Sequence, residues 1–258
     1  MKKINQLIAS IILIFSVFCF NTLNSSAEII PEDGDILQNK LDKIWKTFET
    51  KVNPPSNQKY PHRVIGLANE EINDFIKSEW NYKAVTYELY YENSSVLARQ
   101  IYQLAIFTKD IDKTITIEKL EKGLQGYHYG LDQVTDWLNN SKLELYSREE
   151  LEFLLYLLID NVVKYEDGHF SSTGKARHIL GVAPGSKRSM KSVVAHERLH
   201  VIWDEEPAVK KEYLDKWSQL TPEEKDEVAK TLKSYSKEKE SQLIEEWAVR
   251  EMEKKLSN

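Results

Sequence analysis

"SVVAHERLHVIW", residues 192–203, decides how the rest of the chain is read. His196 and His200 stand four apart, with Glu197 directly after the first. A helix turns once in about 3.6 residues, so positions i and i+4 share a face. The apolar flanks "MKSVV" and "VIW" predict a largely buried helix from about Ser189 to Trp203, with Lys191 and Arg198 on an opposite, solvent-facing side. Burying two imidazoles and a carboxylate is costly unless each finds a partner. Two neutral imidazoles at this spacing are good ligands for one zinc ion, and such a site needs a third protein ligand. Glu197 then stands where a carboxylate can take a proton from a metal-activated water. The competing interpretation is a histidine pair on a surface helix, which the apolar flanks disfavour.

The chain has 258 residues, but its beginning is not fold. "MKK" is a short basic start, and "LIASIILIFSVFCF" (7–20) is an apolar run too short to span a membrane comfortably. "NTLNSSAE" offers small residues at Ser25 and Ala27, so residues 1–27 are expected to be a secretory signal peptide cleaved after Ala27. Cleavage removes Lys2, Lys3 and Cys19, the only cysteine, and takes the net charge from −6 to about −8. The mature chain then has no thiol for a disulfide, a nucleophile or a metal. Its acidic balance argues against a nucleic-acid partner. No further long apolar run follows, so no stable membrane insertion is expected. The expected location is exported, either periplasmic or secreted.

Nine glycines and seven prolines are few for this length, and long stretches carry helical periodicity. Helices are expected in 35–52, 69–80, 94–108 (capped by Ser94 or Ser95), 116–124, 130–140 and 147–165. "KAVTYELYYE" (83–92), rich in aromatic and β-branched residues, reads as a strand. Character changes at Glu166: the stretch 166–189 holds four of the nine glycines and a short strand, "ARHILGVA" (176–183). The active-site helix and two or three charged helices follow. The expected class is mainly α with a few short β-strands (α+β), with a mostly helical region at 28–165 and the metal-binding region at 166–258. The two should make one compact unit.

"HERLH" followed by a later "EEWAVREM" resembles the gluzincin type of zinc metallopeptidase. The resemblance covers 192–203 and 241–252, and it implies a zincin-like helix pair in the C-terminal half. It also implies a third ligand on the later helix, commonly a glutamate within an E-x-x-A pattern. That pattern selects Glu245, with Ala248 three residues on. The gap from His200 is longer than in familiar gluzincins, and Val249 stands where an aspartate often follows. The metzincin type is excluded, because "HERLHVIWDEE" lacks the extra glycine and third histidine. A helical wheel puts Leu243, Ile244, Trp247, Ala248 and Met252 on the buried arc with Glu245 at its edge. Glu246 falls with Gln242, Arg250 and Glu253 on the wet side and is the fallback ligand.

The expectation is therefore an exported zinc-dependent metallopeptidase cutting peptide or protein substrates. Its metal ligands would be His196, His200 and Glu245, its cofactor one Zn2+ ion, and its general base Glu197. The alternative is a non-enzymatic secreted helical binding or inhibitor protein. Tyr213, Tyr235 and His178 are candidate oxyanion donors, none of them assigned. "ARHILGVA" could be an edge strand for an extended peptide. His128 and His169, near glycines, are expected in solvated loops, and Asp204, Glu205 and Glu206 as an acidic helix start.

Overall fold

Side-chain caps set most of the helix starts. In the computed structural model, which describes residues 61–66, 69–142, 145–167, 169–232 and 240–256, Asn69 accepts from Ile72 N at the start of α1 (Glu70–Lys77). Asn93, rather than either following serine, caps α2 (Ser94–Phe107). Two further helices, α3 (Ile117–Gly123) and α4 (Leu131–Asn140), precede α5 (Arg148–Ile159), which opens with a Ser147–Glu150 capping box. Ser189 caps α6 (Met190–Glu205), the helix carrying "HERLH". The remaining helices are α7 (Pro207–Gln219), α8 (Pro222–Thr231) and α9 (Glu240–Leu256). The expected signal peptide, the helix at 35–52 and Tyr235 lie outside the described residues.

Strands are short: β1 (His62–Ile65), β2 (Thr86–Tyr91), β3 (Gly126–Gly130), β4 (Val163–Glu166), β5 (His169–Ser172) and β6 (His178–Val182). Four of them form a sheet in the order β1-β2-β6-β3, and β4 and β5 pair separately. In the larger sheet β1, β2 and β6 run parallel, and β3 runs antiparallel to β6. Every residue of β2 and β6 is buried, as expected of strands paired on both sides. "ARHILGVA" is therefore not an edge: its backbone is already bonded to β2 and β3, and it has no free side for a peptide. The edge beside α6 is β3.

His128 and His169, both expected in loops, lie in strands β3 and β5, and the expected helix over 147–165 stops at Ile159. Asn161 takes a left-handed φ of 54°, and the β-branched pair Val162-Val163 continues into β4. The described residues of 56–164 and 172–258 form one compact unit, and everything that follows concerns it. Its sheet draws strands from both sides of residue 166. Ile72, Tyr90, Leu180, Val182, Met190, Val193 and Val194 make the core between sheet and α6. Leu199, Trp203, Tyr213, Ala248, Val249 and Met252 join α6 to α7 and α9. These two cores fix α6 between the sheet and α9.

Candidate metal centre

Packed on its apolar sides, α6 presents His196, Glu197 and His200 toward α9 and β3. His196 and Glu197 are buried and His200 nearly so. Opposite them stands Glu246 of α9, only 2% exposed. Its two carboxylate oxygens divide between the rings: Oε1 lies 3.6 Å from His196 Nε2, and Oε2 lies 3.5 Å from His200 Nε2. The other ring nitrogens are also occupied by acids of α9. Glu245 Oε1 is 2.7 Å from His200 Nδ1, and Glu253 Oε2 is 3.3 Å from His196 Nδ1. Arg250 donates to Glu246 Oε1 at 2.8 Å, and Arg188 pairs with Glu253.

Ala248 and Met252 of the wheel's expected buried arc are buried and Arg250 of its wet face is exposed, but Glu246 departs from the wheel. Glu246 lies inside, and Glu245, with 28% of its side chain exposed, lies at the margin. Glu246 and Glu253 meet histidines, and Gln242 donates to Asp110 at 3.0 Å, so polarity alone made these positions look solvated. Both Nε2 atoms converge on Glu246, whereas Glu245 addresses a ring from behind. A carboxylate on the far nitrogen of a metal-ligating histidine is the usual means of fixing its tautomer and orientation. His196, His200 and Glu246 together could hold a divalent metal, their donor atoms lying within 4.8 Å of one another.

Charge balance follows from this packing. Burial disfavours a charged His200 ring, but hydrogen bonds to Glu245 and Glu246 outweigh it and hold its pKa well above the ordinary value. Burial likewise penalises ionised Glu246, yet the hydrogen bonds of His196 and His200 keep it well below the carboxylate range. Two imidazoles and a carboxylate held this way suit a cation, which replaces the ring protons. Burial, only partly offset by His200 and His196, pushes the Glu197 carboxyl up, the direction a general base needs.

Glu197 owes its position to a missing side chain. A Cβ on Gly126, the first residue of β3, would lie 2.6 Å from Val193 Cγ1 and 2.8 Å from Glu197 Cγ. Only glycine lets this edge strand approach α6 so closely.

Of the two residues expected on the solvent-facing side of α6, Arg198 is not solvated. Arg198 pairs with Glu88 of β2 at 2.9 Å, lies over the Trp80 ring at 4.8 Å, and has only 15% of its side chain exposed. Tyr90 donates to the same carboxylate at 2.6 Å. Lys191 is exposed, as expected.

Other expected residues fall elsewhere. Tyr213 is buried beside Trp247, their rings 6.1 Å apart, in the core that joins α7 to α9. His128 is not in a solvated loop: it sits in β3, and its ring stacks on those of His178 and His200 at 5.1 and 5.8 Å. Burial, with His200 and His178 nearby, lowers its pKa well below the ordinary value. Asp204 and Glu205 do not start a helix but end α6, beside His128 and His178. His178 lies near this group rather than near His196.

Compared with protein-family models, curated proteins and solved structures, the chain matches none.

Proposed function

We propose that the protein is an exported zinc-dependent metallopeptidase of gluzincin-like type, with His196, His200 and Glu246 as metal ligands and Glu197 as general base. Glu245, chosen from the E-x-x-A pattern, becomes the residue that orients His200, and Glu253 orients His196. One observation carries the reading: both Nε2 atoms face the two oxygens of buried Glu246, while both Nδ1 atoms are held by other acids. Zinc bound there supplies an acidified water and a polarised substrate carbonyl. Glu197 takes the proton from the water and passes it to the leaving amine. The outer edge of β3 offers main-chain groups to an extended peptide, since it is the end of the sheet beside α6.

The test is a pair of isosteric variants. Glu246→Gln should lose the zinc ion shared by His196 and His200, and Glu245→Gln should keep that ion with an affinity about 10- to 100-fold lower. A zinc count in Glu246→Gln equal to that of the wild type would remove the ligand set. The alternative, a non-enzymatic secreted helical binding protein with a structural ion, is favoured by one feature, the burial of His196, Glu197 and Glu246. A chelator-sensitive assay on a peptide library separates the two, since hydrolysis rules out the second reading.

A further inference from the structure

Next to this centre, sharing none of its ligands, stands a second set of metal-competent side chains. His128 of β3, His178 of β6 and Asp204 of α6 converge although 50 residues separate the two histidines and 26 separate His178 from Asp204 in sequence. His128 Nε2 and His178 Nδ1 are 3.0 Å apart. Asp204 Oδ2 lies 3.9 Å from the first and 4.0 Å from the second. A point equidistant from these three atoms lies about 2.1 Å from each, which is the length of a Zn–N or Zn–O bond, about 2.0–2.2 Å.

The surroundings point the same way. His178 Nε2 is held at 2.7 Å by Glu205 Oε1, which Arg177 Nε pins from outside at 2.9 Å. A histidine so held keeps its Nδ1 lone pair for an acceptor role, and that lone pair faces His128 and Asp204. Both histidine side chains are 6% exposed, whereas Asp204 is 36% exposed and gives access from solvent. Its Oδ1 faces Lys210 Nζ at 4.0 Å, which leaves Oδ2 for the histidines. A third grouping, His128 with His200 and Glu245, borrows one residue from each of the others. It is disfavoured, because Glu245 is already hydrogen-bonded to His200 Nδ1.

The geometry points to a second transition-metal site, ligated by His128 Nε2, His178 Nδ1 and Asp204 Oδ2, with Glu205 as the residue that positions His178. Nitrogen and carboxylate donors of this kind suit zinc, cobalt or another borderline divalent ion. The site does not depend on the peptidase reading.

The experiment counts ions. Purified protein is stripped with a chelator and reloaded with Zn2+ or Co2+, and bound metal is measured by native mass spectrometry and by the visible absorption of cobalt. Two ions per chain are expected in the wild type and one in Asp204→Asn, a surface-reaching isosteric change that leaves the fold intact. Glu246→Gln should also retain one ion, and the double variant none. Glu205→Gln should weaken the Asp204-dependent ion about 10- to 100-fold. A wild-type count of one, lost in Glu246→Gln and kept in Asp204→Asn, would overturn the second site and reduce His128–His178 to a plain hydrogen bond. A single ion lost in Asp204→Asn and kept in Glu246→Gln would support this site and overturn the first. A wild type that binds no ion overturns both.

Discussion

Helix α6 has two polar faces, and both are buried. One carries His196, Glu197 and His200 against the acids of α9. The other carries Arg198 against Glu88, Tyr90 and Trp80. On the Arg198 face the groups complete one another: a guanidinium meets a carboxylate, a phenol donates to that carboxylate, and an indole covers the cation. On the histidine face two rings, three acids and a carboxyl with a raised pKa are crowded together, with Arg188 and Arg250 pairing two of the acids, and ring nitrogens and carboxylate oxygens converge as they could on a cation. Buried charge by itself therefore says little about function. What separates the faces is whether donor atoms of several side chains converge on one point, as those of His196, His200 and Glu246 do.

That contrast can be broken in several ways. Glu197→Gln should lower peptide hydrolysis about a hundred- to ten-thousand-fold, with metal content unchanged and thermal stability equal or higher. A marked fall in its melting temperature would make the histidine face structural after all. Arg198→Ala should do the opposite. It strands a Glu88 carboxylate that is 2% exposed, which costs about 3–5 kcal/mol in denaturant unfolding and leaves the zinc count of the folded protein unchanged. Pairing Arg198→Met with Glu88→Leu should recover most of that loss; no recovery would mean the charges are not the issue. Gly126→Ala drives a methyl group at Glu197 and Val193, so stability should fall by about 1–3 kcal/mol and kcat should drop while metal stays bound. An unaffected kcat would dissociate β3 from the general base. The smallest effect belongs to the helix start: Ser189→Ala removes the cap on Ser192 N and should cost about 1 kcal/mol, read as a melting shift with metal affinity unchanged.

Much of the architecture was legible from local pattern. The helices opening at Ser147 and Ser189 announce themselves by a cap followed by a periodic apolar face. The strand around Tyr87 and Tyr91 was legible from its aromatic and β-branched content. The misses share a cause, which is that tertiary contact overrode local appearance. "GYHYG" looks like a turn because it is bounded by glycines. Yet Gly126 is glycine so that β3 can approach α6, and the tyrosines between the glycines are buried. Residues 162–165 look like a continuation of α5 because Val162 and Val163 resume the apolar pattern after Asp160 and Asn161, but Asn161 breaks the helix.

The candidate site divides the same way. The pair His196 and His200 with Glu197 follows from helical spacing alone. Glu246, Glu253, His128, His178 and Asp204 do not, because a hydrophobic wheel scores a carboxylate as wet whether it faces water or an imidazole. A stripe of acids seven apart on a late helix, Glu246 and Glu253, is the signal that was available, and its meaning depends on which helix it meets.

The spacing between α6 and α9 has an implication for biosynthesis. The ribosome releases the imidazole pair well before the acids of α9 that face it, the nearest of which, Glu245, stands 45 positions after His200. A nascent chain can thus expose both imidazoles while its last helix is still unmade, and their acidic partners arrive only when that helix docks. Any mishap that removes this final segment would leave a polypeptide with "HERLH" but without the three acids that face its histidines.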